Sequence, residues 1–126
     1  MSHKLKTLIV FDTNSLRSTD GEKVVYSTFE FGKPFSILEE YITNNNLEDA
    51  VTLAIPAWAI VELKDQKERQ YAEDVDNFNK HFKRLKDLPH FEGLQVNAEG
   101  FNCSDHVHEK STAYLATKAA VKIIEL

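Results

Sequence analysis

Two acidic residues follow apolar segments of the sequence and are the strongest candidates for chemistry. Asp12 comes directly after the apolar run 8–11, and Glu62 follows the stretch 55–61, in which every residue is apolar or proline. Carboxylate oxygens suit Mg²⁺ and Mn²⁺, which polarise phosphate groups. Asp12 and Glu62 are therefore candidate ligands of a divalent cation. The alternatives are that Asp12 caps a turn or helix and that Glu62 faces solvent beside Lys64.

The chain around these acids has the pattern of an α/β domain. Residues 8–11 and 51–55 are short runs rich in β-favouring residues, which is typical of parallel strands buried on both faces. Pro34 and Pro56 each stand where a helical pattern begins, a position that proline favours. The alternation predicts a parallel sheet flanked by helices. Both acids would then lie near the carboxyl edge of the sheet, where such folds bind ligands.

A long helical region is predicted from Pro56 to about Asp87, as two helices or one bent helix. Its apolar stripe, and Trp58 near its start, are assigned to the core. The stripe consists of Tyr71, Val75, Phe78, Phe82 and Leu85.

Residues 17–32 are predicted to be a loop or a small hairpin, with a turn at Asp20-Gly21.

The last segment is predicted to be a helix that is capped by Ser104 or Asp105 and runs to the C-terminus. The charge of Asp105 suits the start of a helix, where the dipole favours acids. Cys103, His106 and His108 are residue types that bind zinc, but their spacing is not that of a standard structural site. In a helix the two histidines would point about 200° apart, so we assign no metal to them.

Composition limits the class of protein. The chain has 126 residues, 42% of them hydrophobic, and a net charge of −5, which fits one globular domain and not a disordered chain. A single cysteine excludes an internal disulfide framework and fits a reducing compartment. No apolar run approaches the roughly 20 residues of a membrane span. We expect a cytoplasmic protein without membrane contact, in which phosphate binding depends on a local basic patch or on cations.

A basic cluster on the long helix is the candidate for contacts with RNA phosphates. Basic residues recur near the end of this helix, and others lie closer to its start. Such a patch can neutralise phosphates although the chain as a whole is acidic. The alternative is a solvated helix face balanced by neighbouring acids. The candidates are Lys64, Lys80, Lys83 and Arg84, with Lys67 and Arg69 as further members.

The two acidic motifs together resemble the PIN domain family. Asp12-Thr13-Asn14 follows the run 8–11, and about fifty residues later Ile55-Pro56 leads into a predicted helix that carries Glu62. In PIN domains a three-layer α/β fold holds three or four acids at the carboxyl edge of a parallel sheet, where they bind Mg²⁺ or Mn²⁺ and hydrolyse RNA. The resemblance covers residues 5–75. It implies that Asp12 and Glu62 are the first two of these acids, supported by Thr13 and Asn14.

The resemblance is incomplete towards the C-terminus. The later acids of the family have no matching segment, so we expect residues 1–126 to be a single PIN-like domain truncated before its last strands. The implied activity is that of a metal-dependent ribonuclease, with a toxin–antitoxin role and an antitoxin-like protein partner. The alternative is a non-catalytic PIN-like module that binds RNA or protein. An uncovered sheet edge would also favour a homo-oligomer.

Overall fold

The computed structural model describes residues 6–96 and 99–126. Strands and helices alternate along most of this length, as the apolar pattern predicts. Three strands form one sheet, and two shorter strands form a hairpin. The elements are β1 (Thr7–Val10), α1 (Thr13–Leu16), β2 (Thr19–Asp20), β3 (Lys23–Val24), α2 (Lys33–Asn44), β4 (Val51–Pro56), α3 (Ala57–Leu85), α4 (Cys103–Ala116) and β5 (Lys122–Ile124).

The main sheet has three parallel strands in the order β1-β4-β5. Val10 of β1 lies opposite Ala54 of β4, and Ile124 of β5 lies opposite Pro56. All three strands therefore end at the same edge of the sheet. The structure is thus a mixed α/β fold with a parallel sheet flanked by helices, which confirms the predicted class at this level.

The hydrophobic core lies on one face of this sheet. Ile9 and Leu53 are neighbours in the register, and both belong to the cluster that surrounds Phe35 of α2. Side chains alternate between the faces of a strand, and the intervening Leu8 and Val10 are 54% and 45% exposed. The prediction that the run 8–11 is buried on both faces is therefore wrong. Among the described residues β1 pairs with β4 alone, so one side of it lacks a neighbouring strand that would shield its side chains.

Helix α1 is held close to the start of α2. The Gly32 amide donates to the Leu16 carbonyl over 2.8 Å. A Cβ atom at Gly32 would approach the Arg17 carbonyl oxygen to 2.6 Å, so only glycine permits this contact. Pro34 follows in the first turn of α2, as predicted. The close approach fixes the position of the short helix that begins next to Asp12.

The C-terminal segment differs from its prediction. Helix α4 ends at Ala116, and the following residues form a turn and then β5. Asn102 caps the helix, because its side-chain oxygen accepts a hydrogen bond from the Asp105 amide at 3.1 Å. The predicted helix to the C-terminus is wrong because the isoleucines of β5 pair with the central strand instead, with Ile123 opposite Ile55.

Helix α3 is a single helix of 29 residues, about 43 Å long. Its first half packs against the core and α4, whereas almost every residue after Asp74 is exposed. Phe78 is 46% exposed and stacks on Phe82, and Trp58 is exposed as well. Assigning Phe78 and Trp58 to the core is therefore wrong. Helical periodicity shows which residues share a face, but it does not show how far the rest of the fold extends beside that face.

The segment between α1 and α2 is the one for which the sequence allows a loop or a small hairpin. The region 17–32 contains the two-stranded hairpin β2–β3, with Gly21 in its turn at a φ of +63°. This favours the hairpin over an irregular loop.

Among residues 6–96 and 99–126, no helix has both the length and the apolar character needed to cross a bilayer.

Candidate functional site

Asp12 lies just past the end of β1 and caps α1. Its side chain accepts a hydrogen bond from the Ser15 amide, with 2.9 Å between Ser15 N and Asp12 Oδ1. The side chain of Ser15 and then its amide hold the pKa of the exposed Asp12 carboxyl below its usual value. The capping role that the sequence left open is therefore present. The amide of Ser15 binds Oδ1 in this cap.

Glu62 lies on the second turn of α3, as predicted, but it is exposed. This is the solvent-facing alternative that the sequence left open, because Ile60 and Leu63 take the buried face of the helix. Its carboxylate is nevertheless held in place. The hydroxyl of the buried Thr13 donates to Glu62 Oε2 over 3.1 Å.

The structure thus brings the two predicted acids to one edge of the sheet. β1 and β4 are parallel neighbours, Asp12 follows the first, and Glu62 lies on the helix that follows the second. Thr13, adjacent to Asp12 in sequence, connects the two by its bond to Glu62. Asn14 is exposed on α1, and no described residue hydrogen-bonds its side chain. The hydrogen bond to Glu62 is consistent with the supporting role predicted for Thr13. The supporting role of Asn14 stays a prediction.

A third acid lies at the same edge and was missed in the sequence. Glu125 directly follows β5, whose Ile124 is level with Pro56 of β4. The signal was the pattern of an apolar run followed by an acid, which the segment shares with residues 8–12. No group of three or more histidine, cysteine or acidic side chains is close enough to hold a metal among residues 6–96 and 99–126. Glu125 therefore does not complete a cluster with the other two acids.

Two carboxylates match only part of what a divalent cation needs. Mg²⁺ commonly binds one or two protein carboxylates, keeps several waters and takes further oxygens from substrate phosphates. Asp12 Oδ2 and Glu62 Oε1 are the oxygens that the capping and threonine contacts leave available. The donor set therefore suits a hydrated hard cation and not a closed structural site.

The predicted RNA-binding residues lie away from this edge. Lys80 pairs with Asp76 within one turn of α3 at 3.0 Å, and Lys83 and Arg84 lie in the last turn of the helix. Lys80 is about 27 Å along the helix from Glu62. Lys64 is nearer the edge, but its Nζ lies 3.1 Å from His108 Nδ1 on α4. Whether these residues bind RNA stays a prediction, but Lys80, Lys83 and Arg84 do not line the carboxylate edge.

The cysteine and histidines near the start of α4 contact different neighbours. His106 Nε2 lies 3.0 Å from the Ser27 carbonyl oxygen, whereas His108 lies beside Lys64. Burial raises the pKa of the Cys103 thiol, which makes it a weaker nucleophile at neutral pH. Asp105 lies in the first turn of α4, where its charge favours the helix. The two histidines therefore contact different parts of the fold.

Comparisons with known proteins give no relative for this chain. No protein-family model matches it, and neither a curated protein nor a solved structure is significantly similar. The arrangement of residues at the sheet edge is therefore the basis for a functional proposal.

Proposed function

We propose that the chain is a PIN-like domain that binds Mg²⁺ or Mn²⁺ through Asp12 and Glu62 and hydrolyses RNA phosphodiester bonds. The supporting observation is the hydrogen bond from Thr13 to Glu62, because it ties the acid on α3 to the turn that carries Asp12. Neighbouring parallel strands and the polar turn after β1 are arranged as the resemblance to PIN domains implies. The proposal includes the three-layer fold of that family.

The residues at this edge have distinct roles in the proposal. Asp12 Oδ2 and Glu62 Oε1 would hold the cation. When bound, the cation would neutralise charge on the phosphate and lower the pKa of a water molecule. Ser15 keeps Asp12 ionised and directed along the axis of α1, and Thr13 restricts Glu62. Such supporting contacts orient ligands before the cation arrives, so that less side-chain entropy is lost on binding.

A second candidate function is RNA binding without hydrolysis. It is favoured by the number of acids, since the described residues bring no third carboxylate into a common cluster with Asp12 and Glu62. With fewer charges the cation would bind more weakly, and RNA would then be bound by basic residues instead of by this edge. An antitoxin-like protein partner or a second copy of the chain remains a proposal of lower rank, because no contact in the structure points to either.

Cation titration combined with RNA cleavage separates these functions. Mn²⁺ binding is measured by isothermal titration calorimetry, and cleavage of a labelled single-stranded RNA is followed with and without Mn²⁺. Asp12→Asn and Glu62→Gln should each lose both properties. Asp49→Asn is the matched control, because Asp49 is an exposed acid just before β4, at the opposite edge of the sheet.

The outcomes of this experiment are distinct. Cleavage that survives unchanged in both acid variants contradicts the hydrolytic proposal and indicates a contaminating nuclease. Mn²⁺ and RNA binding without cleavage in the unmodified chain favours the non-catalytic module. Absence of Mn²⁺ binding excludes the cation site in this chain.

A further inference from the structure

A cavity with two arginines lies beside the carboxylate edge. From Glu62, the residues Gln66, Arg69 and Glu73 follow at steps of four, three and four along α3, so they share one side of the helix. Arg17 comes directly after α1, whose Thr13 contacts Glu62. The cavity has a volume of about 390 Å³ and is lined by Arg17, Val24, Gln66, Arg69, Gln70 and Glu73.

The charge of this cavity is positive. Arg69 uses only its Nε, which lies 3.4 Å from the Asp65 carbonyl oxygen, so its two terminal nitrogens remain available. The Arg17 guanidinium pairs with no acid among residues 6–96 and 99–126. Glu73, the one acid in the lining, forms a salt bridge with Lys23 at 3.1 Å. Two arginines therefore line an opening whose one lining acid, Glu73, is paired with Lys23.

We propose that Arg17 and Arg69 bind a backbone phosphate of single-stranded RNA. Guanidinium groups bind phosphate oxygens in pairs and do not lose their charge. Arg69 is about 10 Å along the helix from Glu62. The phosphate in the cavity is therefore a neighbour, on the same strand, of the phosphodiester at Asp12 and Glu62. In this respect the inference rests on the proposed function.

Binding measurements in EDTA test the inference without requiring hydrolysis. Fluorescence anisotropy is recorded with a short labelled single-stranded RNA and with DNA of the same sequence, over a range of salt concentrations. Removing both arginines in Arg17→Ala/Arg69→Ala should lower RNA affinity about five- to tenfold per arginine at low salt. The slope of log K against log salt should decrease by about 0.7 for each lost contact. Inorganic phosphate at equal concentration should compete far less than RNA.

The distal basic residues supply the matched control. Lys83→Ala/Arg84→Ala removes the same amount of charge from the exposed end of α3 and should change RNA affinity less than the arginine pair does. DNA of the same sequence should lose affinity in the arginine variant as RNA does, because both backbones carry phosphates. Arg17 and Arg69 are exposed, so circular dichroism and thermal unfolding should show an unchanged fold in their variant.

Each result supports or overturns the inference separately from the proposed hydrolysis. If the arginine variant binds RNA as tightly as the unmodified chain, or the distal variant loses more affinity, the inference is wrong even where cleavage is observed. If RNA does not bind in EDTA, the inference is also wrong. If the arginine variant loses affinity but no RNA is cleaved with Mn²⁺, the binding site stands and only the hydrolytic function fails.

Discussion

Thr13 donates its hydroxyl hydrogen to Glu62 over 3.1 Å, across 49 positions of the sequence. The donor is buried in the short helix that follows β1, and the acceptor is exposed on the helix that follows β4. The contact therefore joins the two connections that leave neighbouring parallel strands. It fixes the direction of the Glu62 carboxylate relative to Asp12.

Replacing the threonine should weaken the cation site. Thr13→Val keeps the shape of the side chain and removes the hydroxyl, so Glu62 loses its orienting donor. We expect Mn²⁺ affinity to fall about tenfold, as for other residues that orient metal ligands. The free energy of unfolding should fall by about 1 kcal/mol for the lost hydrogen bond. Calorimetric Mn²⁺ titration and urea unfolding provide the two measurements. Thr13→Ser keeps the donor and is expected to retain the affinity, so equal loss in both variants would contradict this role.

Asp12 should stay ionised below the pH at which an ordinary aspartate takes up its proton. Hydrogen bonds from Ser15 lower its pKa from the usual 3.8. The stabilising effect of the ionised cap is therefore fully present above pH 3.8 and is lost as the pH falls through the lowered pKa. A carboxyl-detected NMR titration measures this pKa directly. Ser15→Ala should raise it towards 3.8, and an unchanged value would show that the serine hydroxyl has no part in the shift.

Lys67 should make stability increase with pH in the alkaline range. Its ammonium is buried, donates to the Val25 and Thr28 carbonyls and lies over the Phe29 ring. Burial lowers its pKa from 10.5, and the Glu30 charge partly opposes this shift. Between the lowered pKa and 10.5 the unfolded chain binds more protons than the folded chain, so stability rises with pH in that window.

A lysine variant isolates this dependence. The difference in unfolding free energy between the unmodified chain and Lys67→Met should shift in favour of the unmodified chain between neutral pH and about pH 10. Urea unfolding at both pH values measures it. Lys110→Met, at an exposed position of α4, is the control for removing one lysine. A constant difference for Lys67 would show that its amine titrates normally.

The core should depend strongly on Phe35. This side chain is fully buried in α2, and its ring lies 5.3 Å from that of Phe11 and 4.8 Å from that of Phe31. Phe35→Ala should lower the free energy of unfolding by about 3–5 kcal/mol, since it removes a large side chain and leaves a cavity. Ile37 is in the same helix but 64% exposed, so Ile37→Ala should cost no more than about 0.5 kcal/mol. Chemical denaturation of both variants measures the two losses in unfolding free energy. Losses of similar size would show that Phe35 contributes no more to the core than the exposed Ile37 does.

Local sequence patterns correctly predicted those elements whose pattern fits only one kind of secondary structure. The apolar run before Asp12 and the run before Pro56 form neighbouring parallel strands. Their connections carry the two acids because parallel strands end at a common edge. The proline near the start of α2 was likewise a sufficient local signal.

The remaining features depend on contacts between distant residues. The segment that includes Ile123 fits a helix or a strand by its pattern, and only pairing with Ile55 decides for the strand. Arg17 gave no signal in sequence, because its proximity to Arg69 exists only once α1 packs against α3. The exposure of Phe78 likewise depends on where the neighbouring elements end, which periodicity cannot show.

The strand order also determines when the sheet can form. The central strand β4 pairs with β1, which precedes it in the chain, and with β5, which follows α3 and α4. Helices form from neighbouring residues within microseconds, whereas each strand pairing must close a long loop. The arrival of β5 is therefore expected to be the slow step of refolding. Until it arrives, the edge of β4 at Ile55 is open to strands of other molecules, so aggregation should compete most strongly during that interval.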